Sequence, residues 1–129
     1  MTQKPPTNHP GPDILVVDDT LENLELLSQM LKANGYKARP VTGGVPALQA
    51  ARSAPPDLIL LDINMPDMSG YDVCQRLKAD DSLRGIPVIF ISALGDSEDK
   101  VKAFQCGGVD YITKPFWMDE VLALSLIHI

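Results

Sequence analysis

The chain has 129 residues, of which 45% are hydrophobic and 22% are charged, and its formal net charge is −6. That length suffices for one domain with a buried core, and the composition is typical of a globular protein. The acidic balance argues against direct contact with nucleic acid. No apolar run is long enough to span a membrane, and the N-terminus has no apolar signal core, so we expect a cytoplasmic protein.

Residues 1–12 contain four of the eleven prolines and show no apolar periodicity. Such a segment cannot bury enough apolar surface to fold, so we interpret it as a disordered leader. His9 lies within it and is therefore not expected to be catalytic. The folded domain is expected to cover residues 13–124.

Five short runs rich in β-branched residues and leucine predict strands. Runs without polar alternation are typical of strands buried on both faces of a parallel sheet. The second run carries Lys37 and Arg39, as an edge strand does. The runs fall near 13–17, 36–41, 57–62, 86–91 and 109–112.

Amphipathic patterns predict a helix after each strand. The first has leucines at 24, 27 and 31 and a stop signal at Asn34-Gly35. Cys74 and Cys106 fall in such patterns without C-x-x-C spacing, so we expect free thiols. The second helix is expected over 43–53, with Pro46 near its start, and the third is expected to begin at Ser69 or Gly70. The fourth is expected to run from an N-cap at Asp96 to a stop at Gly107-Gly108, and the fifth to begin at Met118.

Strict alternation of five strands and five helices predicts an α/β fold in which helices cover both faces of a parallel sheet. Five units are too few to close an eight-stranded barrel. We therefore predict a flavodoxin-like (βα)5 doubly wound open parallel sheet with strand order 2-1-3-4-5 and right-handed crossovers. In this order strands 1 and 3 are neighbours.

Polar residues follow the predicted strands at one edge of this sheet. Asp18-Asp19 follow the first strand and Asp62 ends the third. Two carboxylates about 4 Å apart repel by roughly 4 kcal/mol at an effective dielectric near 20. Such a cluster must be protonated, paired with a cation or built around a metal. Ser92 and Lys114 follow the fourth and fifth strands, and Asn64 lies two residues past Asp62.

The same residues carry a family resemblance. Over about residues 12–124 the sequence resembles the receiver domain of two-component response regulators. Any one of the matching motifs alone is a weak signal, but four in the right order, each at a strand end, form a specific pattern. The motifs are Val17–Asp19 (VDD), Leu61–Gly70 (LDINMPDMSG), Ile91–Ala93 (ISA) and Asp110–Phe116 (DYITKPF).

The resemblance implies that Asp62 is the phosphoacceptor and takes a phosphoryl group from a histidine. By the same resemblance Asp19, Asp62 and the backbone carbonyl of Asn64 bind Mg²⁺, and Asp18 acts through a water. An all-oxygen site suits Mg²⁺ or Mn²⁺ and not zinc. Lys114 is implied to pair with Asp62 at rest and with the phosphoryl group afterwards, from a cis Lys114–Pro115 peptide.

The resemblance also implies a switch and partners. Ser92 moves towards the phosphoryl group, and Tyr111 turns into the space that Ser92 vacates. This repacks the face formed by the fourth helix, the fifth strand and the fifth helix. The implied partners are a sensor histidine kinase or a histidine phosphotransfer protein, and an output domain beyond the C-terminus or on another protein. Such a domain assists its own phosphorylation and dephosphorylation but is not an enzyme with a separate substrate.

Most of these residues have structural alternatives. Asp19 can be a helix N-cap as well as a metal ligand, and Tyr111 can be an ordinary core residue. Ser92 can be a turn residue, and Lys114 can be a solvated lysine. Asp67 and Asp72 are interpreted as solvated acids.

Other functions are open as well. A receiver-like interaction module that is never phosphorylated remains an alternative. A Mg²⁺-dependent phosphatase is disfavoured because Asn64 cannot transfer a proton at neutral pH. A flavodoxin-type binder is disfavoured because Asp18-Asp19 repel a phosphate.

The end of the sequence lacks the polar face of a surface helix. Residues 123–129 read Ala-Leu-Ser-Leu-Ile-His-Ile. We interpret 125–129 as a vector-derived or truncated tail, so that His128 is not a ligand. A short apolar helix here exposes a patch that can support a homodimer or helix exchange between copies.

Overall fold

The computed structural model describes residues 11–93, 97–114 and 118–128, without the side chains of 93, 97–100, 113, 114, 118 and 126–128. The predicted leader up to residue 10 and the Asp96 cap lie outside the described residues. Strands and helices alternate in the order β1 (Asp13–Val17), α1 (Leu21–Ala33), β2 (Lys37–Val41), α2 (Gly44–Ser53), β3 (Leu58–Asp62), α3 (Gly70–Ala79), β4 (Val88–Ala93), α4 (Ser97–Gln105), β5 (Asp110–Lys114) and α5 (Met118–His128).

The five strands form one parallel sheet in the order β2-β1-β3-β4-β5. This confirms the predicted fold, including the edge position of β2. Arg39 on that edge strand donates from Nε to Asp13 Oδ1 at 2.9 Å and from Nη2 to the Ala54 carbonyl. The basic residue therefore ties the edge to β1 and to the end of α2.

Alternate residues of each strand face two separate hydrophobic layers. In β1, Leu15 and Val17 pack with α2, α3 and α4, whereas Ile14 and Val16 pack with α1 and α5. Leu58 through Leu61 of β3 are fully buried. A central strand covered on both faces in this way holds its last residue, Asp62, in a fixed position.

Helix ends follow the predicted signals. Ser69 is the N-cap of α3, and its Oγ accepts from the Asp72 amide at 3.2 Å. Asn34 caps the end of α1. At the end of α4 the Gly107 and Gly108 amides each donate at 3.0 Å to the carbonyls of Phe104 and Ala103.

Both cysteines are free thiols, as predicted. Cys74 is buried in α3, and its Sγ donates to the Cys106 carbonyl at 3.1 Å. Burial raises the pKa of Cys74 to about 11. This thiol therefore stays protonated and unreactive at neutral pH.

The predicted bounds of β4 and β5 were wrong at both ends. β4 was expected over 86–91 but begins at Val88, because Pro87 has no amide proton for the ladder. It extends to Ala93 because Ser92 and Ala93 pair with Thr113 and Lys114 of β5. Ser92 and Lys114 are therefore strand residues and do not follow the strands.

The last helix does not end at residue 124. α5 continues to His128, and Ser125 is fully buried with its hydroxyl donating to the Val121 carbonyl at 2.7 Å. The domain boundary at 124 stays a prediction.

In the described part of the chain, no helix combines the length and the apolar character needed to cross a membrane.

Candidate functional site

The register of the sheet brings the predicted site residues to one edge. Val17 is aligned with Leu61, and Asp62 is aligned with Ile91. Asp18 therefore emerges beside Asp62, and Ser92 lies one residue further along β4.

Three carboxylates converge at this edge, which confirms the predicted cluster. Oxygens of Asp18, Asp19 and Asp62 all lie within 4.8 Å of one another. Asp18 and Asp62 are only 1% and 2% exposed, whereas Asp19 is exposed. Two of the charges are thus shielded from water, while the third opens the cluster to solvent.

The donor set fits a hard divalent cation. Two unit charges 4.8 Å apart repel by about 3.5 kcal/mol at an effective dielectric near 20, which favours a cation between them. All the clustered side chains offer carboxylate oxygens and none offers nitrogen or sulfur. Mg²⁺ and Mn²⁺ prefer such ligands, and the open side at Asp19 leaves room for bound water.

Asp18 also shapes the turn that follows β1. Its Oδ1 accepts from the Thr20 amide at 2.9 Å, and its Oδ2 accepts from Asn23 Nδ2 at 3.4 Å. The N-cap of α1 is Thr20, so the alternative of Asp19 as N-cap was wrong. Asp19 therefore has no capping role that would hold it away from a cation.

Ser92 and Tyr111 are both buried. Ser92 is 1% exposed, and Tyr111 is 5% exposed beside its register partner Phe90. The ring of Tyr111 thus already occupies the interior in this structure. The side chain of Lys114 and the Lys114–Pro115 peptide lie outside the described residues, but the Lys114 backbone pairs with Ala93 at the same edge of the sheet.

Asp67 is a solvated loop acid, as predicted, but it also makes hydrogen bonds that the sequence analysis did not predict. Its carboxylate is exposed but accepts from the Gly44 amide at 3.1 Å and from the Val45 amide at 3.0 Å. These two hydrogen bonds hold the pKa of Asp67 below its usual value of 3.8, and the bond from the Val45 amide has the larger effect. The residue joins the loop after β3 to the start of α2.

A sequence signal for this contact existed. α2 begins after Gly43, which has no side chain to cap the helix, and its first turn contains no acid. The first amides of a helix need an acceptor, so an uncapped start predicts one from elsewhere in the chain.

Comparison with known proteins assigns a family to this arrangement. The family model described as "Response regulator receiver domain" matches residues 14–125. The transcriptional regulatory protein KdpE of Mycobacterium tuberculosis is 46% identical over 110 residues, which cover 85% of this chain and 47% of KdpE. The DNA-binding dual master transcriptional regulator RpaA of Synechocystis is 40% identical over 112 residues, which cover 87% of this chain and 46% of RpaA.

Solved structures show the same fold. The receiver domain of the Francisella response regulator 1452 is 30% identical, with a TM-score of 0.85, and the match covers 91% of this chain and 95% of that one. By contrast, the chain spans about half the length of KdpE and RpaA. The similarity therefore concerns one domain of those relatives.

Proposed function

Because this chain belongs to the response regulator receiver domain family, we propose that Asp62 accepts a phosphoryl group from a histidine of a sensor kinase or of a histidine phosphotransfer protein. The observation that carries this proposal is the position of Asp62. It ends a fully buried strand, with Asp18 and Asp19 oxygens within 4.8 Å.

In the reaction an Oδ atom of Asp62 attacks the phosphorus, and the bond from phosphorus to the histidine nitrogen breaks. The attacking carboxylate and the phosphoryl oxygens are both negative and repel each other. A divalent cation neutralises these charges when it is bound. Asp19, Asp62 and the Asn64 backbone carbonyl would hold such a cation, and Asp18 would act through a water. Lys114 at the end of β5 pairs with Asp62 and then with the phosphoryl group.

The proposal is tested by intact mass spectrometry of the protein after incubation with phosphoramidate. We expect one added phosphoryl group per chain when Mg²⁺ is present and none when EDTA replaces it. The control is heat-denatured protein, which should gain nothing in either buffer. No labelling of the native protein with Mg²⁺ would contradict the proposal, and labelling independent of Mg²⁺ would contradict the role of the carboxylate cluster.

Ser92 and Tyr111 transmit the phosphorylation in this proposal. Both are buried, and Tyr111 pairs with Phe90, which lies two residues before Ser92 in β4. Movement of the Ser92 hydroxyl therefore alters the packing of a ring that contacts the core under α4. A local charge change that biases a two-state element is the common form of such switches.

Beryllium fluoride, which mimics the phosphoryl group, tests the switch separately. Its binding with Mg²⁺ is expected to change amide hydrogen exchange in α4 and β5, and Ser92→Ala should reduce that change. Unchanged exchange in both elements on binding would contradict the switch, yet would leave the phosphoacceptor role of Asp62 intact.

In this proposal an output region responds to the phosphorylated form of the domain. KdpE and RpaA are named as a transcriptional regulator and a DNA-binding regulator, and this chain matches about half of each. We propose that an output region outside the matched residues 14–125, or a partner protein, responds to the phosphorylated state. Such partners place the domain in the cytoplasm.

A further inference from the structure

We infer that Asp67 is a positioning residue that clamps the loop carrying Asn64 onto the first turn of α2 and thereby sets the affinity for the divalent cation. This inference rests on the proposed function, because it assigns Asn64 to the cation site. It adds a residue and an element, α2, that lie outside the carboxylate cluster.

The clamp consists of two hydrogen bonds from one carboxylate. Asp67 Oδ1 accepts from the Gly44 amide at 3.1 Å, and Oδ2 accepts from the Val45 amide at 3.0 Å. Hydrogen bonds to a charged acceptor are about twice as strong as neutral ones, and the positive end of α2 adds to them. The pKa of Asp67 is lowered by the same two amides, so the carboxylate stays charged at neutral pH.

The start of α2 is shaped to receive the loop. A Cβ at Gly43 would lie 2.9 Å from Asp67 Oδ2, and a Cβ at Gly44 would lie 2.8 Å from Val73 Cγ2 and 2.9 Å from Met68 Cβ. Real Cβ atoms do not approach other atoms so closely. Two successive glycines therefore let the loop and α3 pack directly on the helix backbone.

The loop is anchored at both of its ends. At its beginning the Ile63 carbonyl accepts from the Gly70 amide at 2.8 Å, which closes the loop on itself. At its far side Asp67 fastens it to α2. Asn64 lies between the two anchors, one residue after Ile63 and three before Asp67. Its backbone carbonyl is held in place before any cation binds, so binding does not have to order the loop.

The test compares Asp67→Ala, Asp67→Asn and Asp72→Ala by isothermal titration with Mg²⁺ alone. Asp72 is an exposed acid in the first turn of α3, so its removal takes away one negative charge without touching the clamp. We expect Asp67→Ala to weaken Mg²⁺ binding by about 10-fold, as loss of an outer partner of a metal ligand does. Asp67→Asn, which keeps one oxygen acceptor, should lose less, and Asp72→Ala should bind as the wild type does.

Phosphorylation of Asp67→Ala by phosphoramidate at saturating Mg²⁺ should reach the wild-type extent, because the nucleophile is unchanged. Equal loss of Mg²⁺ affinity in Asp67→Ala and Asp72→Ala would overturn the inference, since bulk charge would then explain it. Wild-type affinity in Asp67→Ala would overturn it as well.

Hydrogen exchange separates failure of this inference from failure of the proposed function. Without any metal, the Gly44 and Val45 amides should exchange faster in Asp67→Ala than in Asp72→Ala; equal rates would overturn the clamp. A wild-type protein that binds no Mg²⁺ would overturn both proposals. A wild-type protein that is phosphorylated, beside an Asp67→Ala variant of unchanged affinity, would overturn the clamp alone.

Discussion

Asp62→Asn is expected to abolish phosphorylation and, without divalent cations, to raise the free energy of unfolding. The amide has no negatively charged oxygen to attack phosphorus. The substitution also removes one of the three negative charges of the cluster, whose oxygens lie within 4.8 Å of one another. Two unit charges at that distance repel by about 3.5 kcal/mol at an effective dielectric near 20. Water screens exposed Asp19, and loss of the proposed pair with Lys114 offsets part of the relieved repulsion, so we expect a net gain of about 1–2 kcal/mol.

Urea unfolding in EDTA measures the stability, and intact mass after phosphoramidate treatment measures the labelling. Mg²⁺ should stabilise the wild type because it binds the folded protein, and it should stabilise Asp62→Asn much less. At high Mg²⁺ the wild type should therefore have the larger free energy of unfolding, the reverse of the result in EDTA. Asp72→Asn is the matched control and should resemble the wild type in both assays. Labelling of Asp62→Asn at the wild-type level would refute its role, and a destabilised variant in EDTA would refute the repulsion.

The fold could be predicted from sequence because its strands are unusually clear. Leu58 through Leu61 are apolar without interruption, and such a short run is typical of a strand in the middle of a sheet covered on both faces. Once β1 and β3 are neighbours, Asp18 and Asp62 must meet, because the ends of parallel strands share an edge. Thus the position of the carboxylate cluster followed from pattern and topology alone.

The missed features depend on contacts between distant parts of the chain. β4 extends to Ala93 because Ser92 and Ala93 pair with β5, and this ladder is not visible in the local pattern. Asp67 accepts from amides 23 and 22 residues earlier in the chain. From the sequence alone, the hydrogen bonds of a loop carboxylate such as Asp67 cannot be predicted. They become apparent only when the fold places the uncapped start of α2 beside the loop.

Gly70→Ala is expected to damage both stability and phosphorylation, because Gly70 packs on the backbone of the proposed phosphoacceptor. A Cβ at this position would overlap the Asp62 carbonyl oxygen and lie 2.9 Å from Ile63 Cα. Both neighbours are backbone atoms of a buried strand and its first loop residue, so they cannot rotate aside. Overpacking of this kind costs about 1–3 kcal/mol. The helix propensity of alanine returns at most about 1 kcal/mol at the start of α3, so the clash dominates.

The displacement produced by Gly70→Ala falls on Asp62 itself, and a shift of about 1 Å in a reacting group can cost 100-fold in rate. We therefore expect phosphorylation by phosphoramidate to slow by about that factor, with net destabilisation of about 1–2 kcal/mol in urea. Gly85→Ala is the matched control, because a Cβ there meets nothing within 4 Å. It should change stability by less than about 0.5 kcal/mol and leave the rate unaltered. If Gly70→Ala were phosphorylated at the Gly85→Ala rate, the backbone behind Asp62 would tolerate movement, and tight packing there would not be needed for the reaction.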